Sequence, residues 1–346
     1  MAFGEIIGQE TVIQHLQNAL LTGSVSHAYI LSGGRGSGRK MLAQSFAAAL
    51  LCQDPAVGED GTYEACGKCL SCLQAQSGNH PDILTLEREK AGSIGVGEIR
   101  RLRADMQIVP YSSEHKIYIV PDAERMTQQA QNALLKTLEE PPSYGVLLLL
   151  ADGVTAFLPT VLSRCITLQL RPVSAQAIEQ LLTSRYDTPP EKARMCARFA
   201  GGLPGKAIRL SESEEFAAVR DRTVGLLRRI EQADAHEIAE AARESAAGGE
   251  TDNVLDFTDS WFRDILVYKS TGDEGRLIFP EEIQYIKDAA DMLSYGSLQR
   301  VARARETAGR RLKANVNTEL VLEMLFLQIR QACAADRRRT RNRTNG

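Results

Sequence analysis

The chain has 346 residues, of which 43% are hydrophobic and 25% charged, and its formal net charge is −3 at pH 7. This composition is typical of globular chains of two or three domains and excludes a collagenous, disordered or membrane-dominated protein. The slightly acidic balance also argues against a globally basic nucleic-acid-binding protein. We recognise neither a secretory signal nor an apolar run long enough for a membrane span, so we expect a cytoplasmic protein with no membrane contact.

The first half of the chain alternates short apolar runs with helical patterns. A strand over 28–31 is followed by a glycine-rich loop and an Ala- and Leu-rich helix over 39–51. The same reasoning predicts strands over 82–86, 116–120, 146–151 and 165–170 and helices over 96–107 and 126–138. The unbroken apolar run at 146–151 is typical of a central strand. This alternation predicts a parallel sheet with helices on both sides.

Strand patterns stop after residue 171, and the rest of the chain has a helical pattern with a few turns. Five Arg residues between 337 and 343 make the C-terminal end strongly basic. We therefore expect an α/β domain over 1–170, a small helical domain over 171–210, an all-α domain over 211–335 and a disordered basic tail over 336–346.

A glycine-rich loop, 33–40, lies between the first predicted strand and a helix. In that context backbone N–H groups and the helix N-terminus bind phosphate. The working pattern, G-x4-G-K-[ST], is met by Gly33 and Gly38, but Arg39 replaces the Lys and Lys40 replaces the hydroxyl residue that ligates Mg²⁺. An ammonium group cannot ligate a cation, so we expect a retained loop with weak or no nucleotide binding. Its candidate binding residues are Gly33, Gly36, Gly38, Arg39 and Lys40.

The strand predicted over 116–120 shows a second departure from an ATPase. In P-loop ATPases this strand ends in an Asp that helps to hold Mg²⁺. Here Pro121 occupies that place and Asp122 comes one position later. Two separate losses at one metal site predict that the chain has no functional site for ATP and Mg²⁺.

Four cysteines form a C-x13-C-x2-C-x2-C pattern, at Cys52, Cys66, Cys69 and Cys72. Four thiolates around a tetrahedral ion make a closed, structural zinc site with no open position for catalysis. An iron–sulfur cluster is the less favoured alternative, because no redox partner motif is present. Disulfides are disfavoured by the expected compartment. The remaining cysteines, Cys165, Cys196 and Cys333, stand apart and are most simply buried thiols.

Several motifs occur together in a characteristic order. They are Ile7-Gly8-Gln9-Glu10, His27-Ala28-Tyr29, the glycine loop, the four cysteines, the segment from Asn132 to Pro142, and Ser163-Arg164-Cys165. Over residues 5–330 the chain resembles the AAA+ clamp-loader subunits of the bacterial DNA polymerase III complex. That resemblance implies a P-loop AAA+ domain, a helical lid over 171–210 and a C-terminal collar domain over 211–335 that joins a pentameric ring.

The departures from the ATPase pattern indicate which branch of this family the chain resembles. The family's ATPase subunits keep an intact glycine loop, whereas its delta-prime-type subunits often do not. The family's nucleotide-sensing Arg would fall near Gly205, and Lys206 is adjacent but not equivalent. These departures favour the delta-prime type.

The Ser163-Arg164-Cys165 triplet carries the one catalytic assignment that the resemblance implies. In the family, this Arg reaches across a subunit interface to ATP bound by the neighbour. A guanidinium supplied in trans stabilises the charge that develops on the γ-phosphate. Arg164 is therefore expected to be an arginine finger; the alternative is a surface or capping Arg near a strand start.

The resemblance implies a non-hydrolysing scaffold subunit that helps to load a sliding clamp on primed DNA. The implied partners are gamma/tau-type ATPase subunits, the delta subunit, the sliding clamp and primer–template DNA, the last contacted mostly through phosphates. Two alternatives stay open. One is an ATP-hydrolysing gamma/tau-type subunit, which ATP turnover by the purified chain would select. The other is a zinc-stabilised nucleic-acid-binding adaptor, which tight DNA binding by the isolated chain would select.

Overall fold

The structure is a computed structural model that describes residues 2–59, 61–87, 92–249 and 251–344, with side chains as far as Asp336. The chain divides into two compact units, Met1–Arg209 and Leu210–Gly346. The predicted small helical domain over 171–210 falls almost wholly within the first unit, and its separation from the α/β domain stays a prediction.

The first unit alternates strands and helices along most of its length. Its strands are β1 (Ala28–Ser32), β2 (Ala56–Val57), β3 (Tyr63–Glu64), β4 (Ile83–Thr85), β5 (Lys116–Val120), β6 (Gly145–Ala151) and β7 (Ile166–Gln169). Its helices are α1 (Glu10–Leu21), α2 (Arg39–Leu50), α3 (Leu70–Ser77), α4 (Val96–Asp105), α5 (Gln128–Glu139), α6 (Pro159–Leu162), α7 (Ala175–Arg185), α8 (Pro190–Phe199) and the start of α9 (Pro204–Glu212).

Five of these strands form one parallel sheet in the order β4-β5-β6-β1-β7. Every residue of β6 is buried and β6 is the middle strand, so the prediction of a central strand at 146–151 is confirmed. The strand order makes neighbours of β1 and β6, which are far apart in sequence. Parallel sheets bind ligands at such a point, beyond the carboxyl ends of the strands.

Helices cover both faces of the sheet, as the alternation predicts. On one face Leu16 of α1 and Phe46 of α2 pack with the β1 residue Tyr29. On the other face Leu134 of α5 packs with residues that include Ile30 of β1. Successive β1 residues thus enter different cores, since side chains alternate across a strand.

Among the labelled strands and helices of the first unit, α1, β2, β3, α3 and α6 were not predicted from the sequence. Helix α1 was not predicted, although its apolar residues lie at helical spacing and two of them, Leu16 and Leu20, are buried. The two-stranded antiparallel pair β2–β3 and the helix α3 lie in the cysteine-bearing segment. Their short length gives too few residues for a periodic pattern to stand out.

The second unit contains helices and no strand among the residues that the structure describes, as predicted. Its helices are α10 (Phe216–Arg229), α11 (Ala235–Ala247), α12 (Thr251–Thr271), α13 (Ile283–Met292), α14 (Tyr295–Lys313) and α15 (Thr318–Thr344). Aromatic rings of Phe216, Phe257, Trp261 and Phe279 pack in its core, with neighbouring centroids 5.2–6.4 Å apart.

The C-terminal tail is described only in part. The backbone of α15 continues to Thr344, whereas the side chains from Arg337 onward lie outside the described residues. The predicted disorder of the basic tail therefore stays a prediction. Among the helices that the structure describes, none is both long and apolar enough to cross a membrane.

Candidate functional site

The glycine loop lies where β1 and β6 run side by side. Gly33 N–H, directly after β1, donates to Ala151 O at the end of β6 over 3.1 Å. Gly36 and Gly38 have φ values of 94° and 98°, a left-handed region that favours glycine. Gly38 leads directly into α2. The loop therefore has the predicted strand–loop–helix arrangement.

The start of α9 rests directly on this loop. Gly205 N–H donates to Gly36 O over 2.8 Å. A Cβ atom placed on Gly36 would come within 3.0 Å of the backbone nitrogen of Lys206. A Cβ atom on Gly34 would come within 3.2 Å of the Leu203 side chain. One side of the loop is thus packed against protein backbone, at the position where the family's nucleotide-sensing Arg was expected.

Arg39, in the place of the phosphate-binding Lys, is paired with a carboxylate of the protein. Its Nη2 lies 2.5 Å from Asp152 Oδ1, and its side chain is only 9% exposed. Its Nη1 has no hydrogen-bond partner within the described part of the chain. Asp152 follows β6 directly, and its own N–H donates to Glu124 Oε2 over 3.3 Å. The positive charge at this position of the loop is therefore balanced inside the protein.

A cavity of about 890 Å³ borders the loop. Its cationic lining residues are Arg35, Arg39, Lys40, Arg185 and Arg209. Pro121 and Asp122 also line it, so the strand end that should carry a metal-binding Asp faces the same space. Asp122 has a φ of 49° and starts a short helical turn. The cavity therefore offers cationic side chains to an anionic group. The carboxylate of Asp122 stands one position later than the Asp that holds Mg²⁺ in an ATPase.

The four cysteines of the predicted metal site come together. Their Sγ atoms all lie within 4.8 Å of one another. The Cys66–Cys72 and Cys52–Cys72 sulfur separations are 3.9 and 3.5 Å, too long for disulfides. A tetrahedral zinc ion with Zn–S bonds of about 2.3 Å requires sulfurs about 3.8 Å apart. The donor set and its spacing fit one metal ion, whereas a cluster of several irons would hold its thiolates farther apart.

Hydrogen bonds within the cluster favour thiolate, the form that binds a metal. Backbone N–H groups lower the pKa of the Cys66 thiol. Burial acts to raise the pKa of Cys69, but N–H donors outweigh it and the pKa is about 6. Burial raises the pKa of the Cys52 and Cys72 thiols above its ordinary value. Two of the four cysteines therefore favour the thiolate form, and a bound cation would deprotonate the others.

A buried polar chain joins the two segments that carry these cysteines. Ser71 Oγ donates to Leu51 O over 2.7 Å and lies 3.0 Å from His80 Nε2. His80 Nδ1 accepts the Asp82 N–H over 3.1 Å, which places the ring proton on Nε2. Burial lowers the His80 pKa, in keeping with a neutral ring. Leu51 and Ser71 each directly precede a cysteine of the cluster, so this chain of hydrogen bonds holds Cys52 and Cys72 in place relative to each other.

Arg164 lies between α6 and β7 with its side chain 36% exposed. Its Nη1 donates to Thr160 O over 3.0 Å and to Ser163 Oγ over 3.2 Å. Its Nη2 lies 3.0 Å from Glu139 Oε1. These contacts hold the guanidinium in one orientation at the surface of the chain.

Comparison with known proteins identifies the family. A family model described as DNA polymerase III, delta subunit, matches residues 8–174, and its C-terminal counterpart matches residues 227–331. The DNA polymerase III subunit delta' of Bacillus subtilis is 30% identical over 93% of this chain and 96% of its own length. The delta' subunit of Pseudomonas aeruginosa is 33% identical over 88% of this chain and 91% of its own. The chain belongs to the delta-prime subunit family of DNA polymerase III.

Part of this delta-prime family member also resembles a second kind of subunit. The DNA polymerase III subunit tau of Bacillus subtilis is 36% identical over 176 residues, which are 51% of this chain and 30% of tau. The similarity to tau thus covers about half of the chain. It agrees with the predicted relationship between delta-prime-type and gamma/tau-type subunits.

Several residues of the site were not predicted from the sequence. Arg185 and Arg209 reach the cavity from α7 and α9, more than 140 residues beyond the loop. One feature of the sequence could have indicated Asp152, because it is an acidic residue directly after the most apolar strand. Gln9 belongs to a quoted motif, and its side chain holds both the N–H and the carbonyl of Arg171. Nothing in the local pattern identified these contacts, because each depends on the folded sheet.

Proposed function

We propose that this chain is an ATPase-deficient scaffold subunit of a clamp loader. In this proposal it supplies Arg164 in trans to a neighbouring gamma/tau-type ATPase subunit and helps to load the sliding clamp on primer–template DNA. The observation that carries the proposal is the pairing of Arg39 with Asp152, because it engages the cation at the position of the usual phosphate-binding Lys.

Three further features support the loss of hydrolysis. Lys40 stands where a hydroxyl group should ligate Mg²⁺, and Pro121 stands where a carboxylate should do so. The contact between Gly205 and Gly36 packs the start of α9 against the loop. Without these two ligands the loop would not hold the Mg²⁺ ion that balances the charge of a triphosphate during hydrolysis.

Arg164 supports the role in trans. Its partly exposed guanidinium follows directly on Ser163 in the family's Ser-Arg-Cys triplet. Arg carries a permanent charge on a planar fork, which suits the equatorial oxygens of a phosphoryl group in transfer. An arginine supplied by a neighbour raises the rate of phosphoryl transfer by roughly 10³–10⁵ in other systems.

The four-cysteine site is proposed to hold one structural zinc ion. Cys52, Cys66, Cys69 and Cys72 would be its ligands, and the sulfur spacing supports a single tetrahedral ion. When bound, zinc would link the end of α2 to α3 and stabilise a segment that has little core of its own. No substrate position is left on such an ion.

The proposal is tested by reconstitution with candidate gamma/tau-type and delta subunits. We expect no ATP turnover by this chain alone and no micromolar affinity for Mg·ATP in calorimetry. In the complex, Arg164→Ala should keep the subunit stoichiometry and reduce turnover at the neighbouring site by roughly 10³ or more. Unchanged turnover and clamp loading with Arg164→Ala would refute the role in trans.

An ATP-hydrolysing gamma/tau-type subunit is the second candidate. The similarity to tau and the cation-lined cavity of about 890 Å³ favour it. ATP turnover by the purified chain, abolished by Arg39→Ala, would select this alternative.

A further inference from the structure

The side chain of Arg164 is held by two kinds of contact. Its Nη1 bonds only to its own segment, to Thr160 O and Ser163 Oγ. Its Nη2 pairs with Glu139 Oε1, which lies on a different element, the last residue of α5. Glu139 is therefore the one described contact that ties the guanidinium to the body of the α/β fold.

The local electrostatics favour this pairing. Glu139 ends α5, where the unpaired carbonyl groups give the helix a partial negative charge. The chain turns away at Pro141-Pro142, so the helix cannot extend past this point. The carboxylate and the helix end together attract a cation to this position.

The pairing leaves Arg164 able to bind a further anion. A guanidinium has five N–H donors. Nη1 donates to two acceptors, and Nη2 forms an ion pair with Glu139 at 3.0 Å. Within the described part of the chain, Nε has no acceptor, and Nη2 has none besides Glu139. Two remaining donors on one planar group suit a phosphate oxygen pair.

The geometry points to Glu139 as a positioning residue for Arg164: it orients the guanidinium so that the free donors face a neighbour's phosphate. This inference rests on the proposed function of Arg164 in trans. Without Glu139 only Nη1 is held, and the guanidinium plane is free to turn about that anchor. Glu139 itself does not touch the nucleotide, so its loss should lower kcat and leave KM for ATP unchanged.

The magnitude follows from the exposure of the pair. The side chains of Arg164 and Glu139 are 36% and 50% exposed, so their ion pair is weak. We expect Glu139→Ala to lower the Arg164-dependent ATP turnover about two- to fivefold. That quantity is the difference in turnover between complexes with wild-type chain and with Arg164→Ala. Glu139→Gln keeps an oxygen acceptor and should lose less.

Glu140 supplies a matched control. It is the next residue, it is exposed, and its side chain makes no hydrogen bond or ion pair with any of the described residues. Glu140→Ala removes the same charge from the same helix end and should leave kcat unchanged. The Arg164→Ala/Glu139→Ala double variant should equal Arg164→Ala, because a positioning residue has no effect without the group it positions.

The experiment uses the reconstituted complex with primed DNA and clamp. Subunit stoichiometry and the thermal midpoint of the chain should match wild type in all variants. If Arg164→Ala lowers turnover but Glu139→Ala behaves as Glu140→Ala, or raises kcat, the positioning role is refuted and the proposed function stands. If Arg164→Ala has no effect, the proposed function fails and this inference fails with it.

Discussion

The contact between α9 and the glycine loop can be tested with two glycine substitutions that differ in one respect. Gly36 and Gly38 both have left-handed backbones, with φ of 94° and 98°. Alanine at either position pays a backbone strain of about 1–2 kcal/mol. A Cβ on Gly38 meets nothing within 4 Å, whereas one on Gly36 lies 3.0 Å from Lys206 N. The pair therefore separates backbone strain from the contact with α9.

The added cost at Gly36 follows from the displaced backbone. A 3.0 Å approach forces the start of α9 to shift and weakens the 2.8 Å bond from Gly205 N–H to Gly36 O. A lost hydrogen bond of this kind is worth about 0.5–1.5 kcal/mol. We expect Gly38→Ala to destabilise the first unit by about 1–2 kcal/mol and Gly36→Ala by about 1.5–3.5 kcal/mol.

The assay must report on the first unit. The single tryptophan, Trp261, lies in the second unit, so its fluorescence does not follow this change. Hydrogen exchange of peptides covering 203–209 gives a local measurement. Exchange there should accelerate about two- to twelvefold in Gly36→Ala relative to Gly38→Ala, the factor that corresponds to about 0.5–1.5 kcal/mol. Equal stability and equal exchange in the two variants would refute the packing of α9 on the loop.

Three further predictions concern the same unit. Protein prepared with zinc should contain about one zinc per chain by elemental analysis. Cys69→Ser should lower both the zinc content and the thermal midpoint. A zinc content equal to that of wild type in this variant would contradict the four-cysteine zinc site. Burial acts to raise the Asp82 pKa, but donors at 111–112 outweigh it and the pKa lies below its ordinary value. Because the folded pKa lies below the unfolded value of about 3.9, the ionised carboxylate stabilises the folded state above that value. This stabilisation is lost as the pH falls through the folded pKa, so Asp82→Asn should flatten the loss of stability below about pH 4 in urea titrations. Ser71→Ala should cost about 1–3 kcal/mol because it leaves two buried partners without a hydrogen bond, whereas the exposed Ser77→Ala should change stability by less than about 0.5 kcal/mol.

Local sequence signals predicted the features of this protein that depend on neighbouring residues. Apolar runs located the strands of the main sheet, and four-residue spacing located α5. The C-x2-C spacing predicted a metal cluster whose sulfurs the fold does bring together. The substitutions Arg39 and Lys40 indicated a loop that departs from an ATPase. Each of these signals lies within a few residues, where chain geometry alone restricts what can form.

Only the tertiary structure decided the contacts that join distant segments. Arg39 and Asp152 meet because β1 and β6 are neighbours in the order β4-β5-β6-β1-β7, an order that no local pattern encodes. Gly205 reaches Gly36 across 169 positions of sequence. Periodicity describes which face of an element is buried, but the partner of that face is set by packing over the whole unit. The sequence thus predicted which residues form the loop, whereas the fold determined which residues contact it.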